Sequence, residues 1–438
     1  IYDREKRSPG GGDNLYLASI LALRPDTGEL VWYYQTTPGE HWDYTATQHM
    51  ILTDLEWQGI PRKVLLQAPK NGFFYVLDRV TGELLSAENF VHVSWASHID
   101  LATGRPVERP EASWSMASGG AARVAPAVVG GHNWFPMSFS PATGLVYIPA
   151  TQLAYDYRAD PDFEFLPSRF NTGEDIPAAT EGLEGLEAAK DLVCDSAQLL
   201  AWDPVRQQRA WSVTLDANVP GGTLSTAGGL VFQGNSGGEL VAYDAGSGAR
   251  LWSSAIGIGI MAPPVTYRVD GEQYVAVLAG MGGSMGNHFV DLEHVNDGRL
   301  VAFKLGGKAS LPVVMPRPPR TVSVEALDVP KETVARGREL YGENCFWCHG
   351  MAAAGGGMLP DLRYSSGEVH ERWNDIVLGG IRAGQGMASF ADILSSDDAQ
   401  AIRAYVLYRA NEPPPIAARA IEWAVEADLC VPARWLTQ

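Results

Sequence analysis

Ala242-Tyr243-Asp244-Ala245-Gly246-Ser247-Gly248-Ala249-Arg250-Leu251-Trp252 reads as the end of one β-strand, a tight turn led by an aspartate, and a second strand closing on an indole. Aspartate suits the turn because its carboxylate accepts nearby backbone N–H groups, and glycine supplies the positive φ that closes it. The phrase recurs in looser form. One copy runs from Ala22 through Asp26-Thr27-Gly28 to Trp32, a second from Val76 through Asp78 and Thr81-Gly82 to Leu85, and a third from Ala201 through Asp203 to Ala210-Trp211. Trp211 and Trp252 stand 41 residues apart, about the ~40–45 residues of one four-stranded propeller blade. The repeat therefore predicts blades stacked radially about an axis. A β-sandwich with ordinary Asp-Gly hairpins is the competing architecture.

Outward from that repeat, residues 15–305 keep the same texture of short β-rich runs divided by Gly, Asp and Asn turns. Residues 306–330 change character, with Gly306-Gly307 followed by Pro312, Pro316, Pro318 and Pro319, the composition of a linker. Residues 331–341 and 396–409 then show helical amphipathic patterns and bracket a small helical domain over 331–410. The tail, 411–438, carries a helical pattern at 416–427 and no recognisable chemistry. The expected fold class is thus mainly β, part of a propeller over 1–305, followed by a small all-α domain.

Composition narrows the function classes. With 33 basic against 51 acidic residues among 438 and a formal charge of -18, the chain lacks the positive footprint that a nucleic-acid partner requires. No run approaches the roughly 18 uninterrupted apolar residues of a membrane helix. The chain begins at Ile1 with neither Met nor a secretory signal, so the expectation is an N-terminus removed by processing or truncation. Two of the four cysteines, Cys194 and Cys430, lie far apart; a disulfide between them and two free thiols are both open.

The other two carry the sharpest motif in the chain, Cys345-Phe346-Trp347-Cys348-His349. Cys-x-x-Cys-His places two thiols one helical turn apart, able to add across porphyrin vinyl groups while the adjacent imidazole reaches the iron. A redox Cys-x-x-Cys and half a zinc site are the alternative readings, and no second Cys pair or suitable His pair follows to complete the zinc site. Residues 331–410 also resemble small cytochrome c domains: Gly337 stands where helices cross, and Pro360 where a carbonyl orients the proximal imidazole. The loop Gly384-Gln385-Gly386-Met387-Ala388-Ser389-Phe390 resembles their methionine-bearing loop, with Ala388 in place of its usual proline, and makes Met387 the expected sixth ligand. Met351 and Met358 follow His349 too closely to cross the porphyrin easily, and a plain core methionine is the alternative reading of Met387.

The propeller segments resemble a known family. Gly10-Gly11-Gly12-Asp13-Asn14-Leu15-Tyr16-Leu17, the run from Tyr34 through His41-Trp42-Asp43-Tyr44, Ala68-Pro69-Lys70-Asn71-Gly72-Phe73, Gly131-His132-Asn133-Trp134 and the run from Gly221 to Gly234 are similar to pyrroloquinoline quinone-dependent alcohol dehydrogenases fused to a cytochrome. The resemblance covers about residues 5–410. It implies an eight-bladed propeller with the quinone near its axis, and the cofactors pyrroloquinoline quinone, calcium and haem c. It implies Asp43 as base and calcium ligand, Lys70 on the reactive oxygens of the quinone, Asn133 as a hydrogen-bonding and Trp134 as an apolar cofactor contact, a core tryptophan being the alternative for Trp134. Val219-Pro220 replace the usual Trp-Asn before Gly221-Gly222, which removes the basis for a quinone contact from that loop.

By the same resemblance the activity is oxidation of alcohols to aldehydes, with electrons leaving through the haem to a soluble cytochrome, a blue-copper protein or a membrane quinone pool, in a periplasmic setting. Primary alcohols are the default substrates; polyols, cyclic alcohols, polyvinyl alcohol and hydroxylated alkaloids are handled by similar proteins. A haem c electron-transfer protein with a non-catalytic propeller is the alternative. The 305 residues ahead of the linker hold roughly half to five-eighths of an eight-bladed ring. The expectation is a sequence lacking its N-terminal half, where the family's other calcium ligands and its vicinal cysteines lie; a second chain supplying that half is the alternative.

Overall fold

The computed structural model describes residues 3–115, 120–165, 171–175, 196–215, 219–282, 294–350, 353–355 and 359–411. Cys194, Cys430, Met351, Met358 and the tail beyond Asn411 lie outside them.

Three four-stranded antiparallel sheets follow one another along the chain. The first contains Met50–Trp57, Ile60–Gln67, Phe73–Asp78 and Leu84–Asn89; the second Ser138–Ser140, Leu145–Gln152, Ser196–Asp203 and Gln208–Thr214; the third Pro220–Ser225, Leu230–Asn235, Glu239–Asp244 and Arg250–Ala255. A three-stranded sheet, Val265–Val269, Glu272–Ala279 and Arg299–Lys304, comes next, and the pair Ser19–Leu23 with Leu30–Gln35 precedes them. Each is a meander of neighbours, as blades require.

The sheets stack face on face. Val64, Leu66, Phe74 and Val76 of the first share a core with Val146, Ile148, Leu200 and Trp202 of the second. The opposite face of the second, through Tyr147 and Leu199, meets Val231 and Tyr243 of the third, and Leu240 of the third, with Ile256 just after its last strand, meets Val277 and Val301 of the fourth. Inner strands buried on both faces, such as Phe73–Asp78, therefore read as continuous apolar runs rather than alternations. This sequence of shared cores is the radial stacking that the repeat implies, and it excludes a two-sheet sandwich.

The repeat also has a packing meaning. Trp32 donates its indole N–H to Arg79 O at 3.3 Å, and its ring lies 2.8 Å from where a Cβ on Gly82 would sit. Trp211 repeats this on the next copy, donating to Ala245 O at 3.2 Å and crowding Gly248 at 2.6 Å. The closing tryptophan of one phrase thus staples onto the turn glycine of a later one, and Asp78 and Asp244 tie those turns by accepting two backbone N–H groups each.

Residues 306–330 carry neither helix nor strand. The helix Lys331–Asn344 then crosses the helix Ser396–Asn411 at Gly337, where a Cβ would stand 1.9 Å from Ala401 O. Ser395 and Asp398 open the second helix as a reciprocal capping box, side chain to backbone N–H in both directions at 3.1 Å. Between the helices Trp373 donates to Ala399 O at 2.7 Å, and Leu340, Tyr341, Ile402 and Tyr405 complete a separate small core.

Candidate functional site

Asp43 sits at φ +71, a backbone conformation that costs a non-glycine residue about 1–2 kcal/mol and persists only where the surroundings impose it. Glu40 imposes it from below: fully buried, its Oε1 accepts Trp42 N at 2.5 Å and Tyr44 N at 2.7 Å. The flanking rings are fixed as well. Trp42 donates to Ala112 O at 2.8 Å, Tyr157 donates to Trp42 O at 2.8 Å, and Tyr44 donates to Pro126 O. Buried indoles and phenols on both sides of Asp43 leave its own side chain 39% exposed.

Lys70 is aimed at it. The turn Pro69-Lys70-Asn71-Gly72 is ordered by Asn71, which donates to Tyr75 Oη at 2.8 Å and Thr37 Oγ1 at 3.2 Å and accepts Phe73 N at 3.1 Å. The Lys70 ammonium is thereby delivered 2.9 Å from Asp43 Oδ2. The turn bearing Asn133 and Trp134 docks on the same lysine. Gly131 N donates to Lys70 O at 2.9 Å, and Gly130 packs so closely that a Cβ there would lie 2.4 Å from Lys70 Cγ. Within that turn Asn133 donates to Val129 O at 2.7 Å and accepts Trp134 N at 2.8 Å. Trp134 is 45% exposed, so it is not a core tryptophan.

Asp43 and Lys70 therefore meet, with the turn that carries Asn133 and Trp134 docked on the Lys70 backbone, and an ammonium, a carboxylate and an exposed indole suit a planar, anionic quinone. Calcium is less well provided for. Asp43 offers one carboxylate, but among the described residues no group of three or more His, Cys, Asp or Glu side chains surrounds a common point, short of the roughly six to eight oxygens calcium takes.

Sequence reading missed two buried carboxylates here. Glu40 lay within a quoted run without a role, although burial raises its carboxyl above the usual range. Glu174 is 6% exposed; burial pushes it up to about 7, with Asp175 and Asp43 acting in the same direction. His41, stacked near Trp114 at 5.9 Å, is held down to about 2 by burial. None of these has a sequence signal, because each depends on strands brought together from far along the chain.

In the helical domain, Cys345 ends the helix Lys331–Asn344 and Cys348 and His349 lie in the single turn Phe346–His349. Neither thiol is in a disulfide. His349 is buried, and its Nδ1–H donates to Pro360 O at 3.1 Å, which leaves the Nε2 lone pair for a metal. Burial lowers its pKa and favours that neutral ring. Phe346, Met387, Phe390 and Ile393 pack on the same core yet stay half-buried. A buried neutral imidazole, two thiols outside any disulfide and an incompletely covered apolar wall fit a haem.

Residues 3–98 and 198–275 match the glucose/ethanol/alcohol dehydrogenase β-propeller domain, and residues 332–406 match cytochrome c oxidase, cbb3-type, subunit III. Quinohemoprotein alcohol dehydrogenase ADH IIB of Pseudomonas putida is 47% identical over 94% of this chain and 59% of its own length. The 1-butanol dehydrogenase (cytochrome c) of Thauera butanivorans is 42% identical over the same two shares. The solved structure of quinohemoprotein alcohol dehydrogenase ADHIIG from Pseudomonas putida superposes with a TM-score of 0.85 at 45% identity, covering 93% of this chain and 60% of that one. The chain thus spans about three-fifths of the length of the relatives it matches. By sequence over nearly its whole length and by fold, the chain is similar to the quinohaemoprotein alcohol dehydrogenases.

Proposed function

We propose that the chain serves the oxidation of alcohols to aldehydes with pyrroloquinoline quinone and calcium, delivering electrons through a covalent haem c to an external acceptor. The observation that carries this reading is the Lys70–Asp43 pair at 2.9 Å, held on a positive-φ aspartate; a propeller kept only as a scaffold has no need of either. When bound, the quinone supplies a two-electron acceptor and the haem a one-electron carrier.

The residues of the chain do the rest. The Asp43 carboxylate accepts the hydroxyl proton of the alcohol and contributes one calcium ligand. Lys70 places fixed positive charge where negative charge grows on an oxygen being reduced. Asn133 and Trp134 position the cofactor, one by a polar contact and one by apolar cover. Cys345 and Cys348 would tether the haem, and His349 and Met387 would hold its iron. Covalent haem and calcium suit a periplasmic setting, and among the described residues no helix is long and apolar enough to cross a membrane. The acceptor is a soluble cytochrome, a blue-copper protein or a membrane quinone pool. Similarity to a 1-butanol dehydrogenase favours primary alcohols.

The test is the visible spectrum of the haem-bearing protein reconstituted with calcium and the quinone, before and after 1-butanol. Reduced c-type bands that appear only with quinone and alcohol together are expected. A haem that dithionite reduces but no primary alcohol does would overturn the dehydrogenase reading in favour of electron transfer alone.

A further inference from the structure

The segment between the two domains is pinned at both ends. On the propeller side Arg299 donates to Pro312 O at 2.7 Å and to Val313 O at 3.1 Å, Val295 N donates to Met315 O at 2.9 Å, and Leu311 and Val314 pack against the core of the last sheet. On the cytochrome side Ser323 Oγ donates to Ser365 O at 2.9 Å and Asn411 donates to Val324 O at 3.0 Å.

Between these anchors Arg320 reaches into the cytochrome domain. Its Nη1 stands 2.8 Å from Asp361 Oδ2, and its guanidinium lies 4.5 Å from the centre of the Tyr364 ring. Arg363 grips the same carboxylate with Nη2 at 2.7 Å and Nε at 3.0 Å. Asp361, only 7% exposed at its side chain, also caps the short turn Leu362–Tyr364 by accepting Arg363 N. The residue before it is Pro360, whose carbonyl receives the His349 Nδ1–H.

We infer that the Arg320–Asp361–Arg363 clamp is a positioning device for the proximal imidazole, through which the interdomain segment sets the redox potential of the haem. The chemistry follows from the hydrogen bond. A carbonyl held on Nδ1–H makes the ring more basic and favours ferric iron; a carbonyl free to drift does so less. A carboxylate locked by two guanidinium groups cannot swing, so the peptide unit beside it is fixed. This rests on the haem reading above.

The experiment uses the haem-loaded chain and the double variant R320L/D361N, which removes one positive and one negative charge and so leaves the net charge unchanged. At a fixed ambient potential its ferrous-to-ferric ratio is expected to rise threefold or more, tenfold corresponding to 59 mV for one electron. The His349 ring N–H of the ferrous protein should also exchange faster with solvent. If the double variant does not take up haem, R320K is measured in the same way; it keeps the charge but loses the planar stack on Tyr364, and a smaller rise is expected. An unchanged ratio in the variant that holds haem, with at most a lower melting temperature, would overturn the proposal and leave the clamp merely structural. Failure of the haem reading is distinguishable, because the parent chain would then show no covalent haem spectrum.

Discussion

The two sites are built in opposite ways. In the cytochrome domain, both thiols and the imidazole fall within five consecutive residues, Cys345 to His349, and two crossing helices complete the frame. In the propeller, Asp43, Lys70 and Asn133 come from turns 27 and 63 residues apart in sequence, and the fold puts the Lys70 ammonium on Asp43 and the turn bearing Asn133 against the Lys70 backbone. The difference teaches where each site is vulnerable. The cytochrome site depends on one helix crossing, whereas the propeller site depends on backbone strain shared among many aromatic neighbours.

The largest expected effect breaks the sites apart. Asp43→Asn should lower alcohol-driven haem reduction by ~10²–10⁴, the usual worth of a positioned base, while dithionite still reduces the haem fully and the haem potential stays put. Stopped-flow absorbance at the haem bands checks this; a rate within threefold of the parent would remove Asp43 from the chemistry. Next in size, Gly337→Ala puts a methyl 1.9 Å from a backbone carbonyl and should destabilise the cytochrome domain by about 3 kcal/mol or more. Thermal unfolding followed at the haem should shift down, and tryptophan fluorescence dominated by the propeller should not. Joint loss of both signals would show that the domains unfold as one.

The third effect sharpens the electrostatic side of the comparison. Glu174 has its carboxyl raised from 4.5 to about 7, first by burial. The folded state therefore keeps a proton that the unfolded chain releases. The contribution is fully present below pH 4.5, declines as pH rises towards 7, and is flat beyond. At about 1.4 kcal/mol per pH unit, the loss is at most about 3.5 kcal/mol. Glu174→Gln should abolish that slope and make the propeller more stable than the parent at pH 8; denaturant midpoints across this range check it, and a slope that survives assigns the pH dependence to another group.

Much of the fold was legible because its repeat has a mechanical cause. Asp78, Asp203 and Asp244 recur because each ties its own turn, and Trp32 and Trp211 because each covers a glycine on a later sheet. Two further turns of this kind lie outside the quoted copies: Asp100 to Gly104, where the Tyr34 hydroxyl donates to Gly104 O at 2.8 Å, and Ser140 to Gly144. The Cys345-x-x-Cys348-His349 motif was legible from its spacing, whereas Met387 rests on the resemblance of its loop. Asp43 and Lys70 were legible only through resemblance, since no local pattern separates them from turn residues. Glu40, Glu174 and the Arg320–Asp361 clamp were not legible, because burial and long-range pairing are properties of the assembled sheets and loops.

The smallest effect tests the staple itself. Gly248 and Gly271 both sit in hairpin turns at positive φ, +74 and +83, so alanine carries a similar backbone cost at each. They differ in what lies above them: a Cβ on Gly248 meets the Trp211 ring at 2.6 Å, and one on Gly271 meets nothing within 4 Å. Gly248→Ala should therefore destabilise the propeller by ~1–2 kcal/mol more than Gly271→Ala, the low end of the usual overpacking cost, as read from chemical denaturation. Adding Trp211→Leu should make the two alanine variants equivalent, because the smaller side chain no longer presses on the turn. Equal costs in the single variants would mean that the indole yields freely, and the recurring tryptophan would then owe its place to its hydrogen bond to Ala245 O rather than to shape.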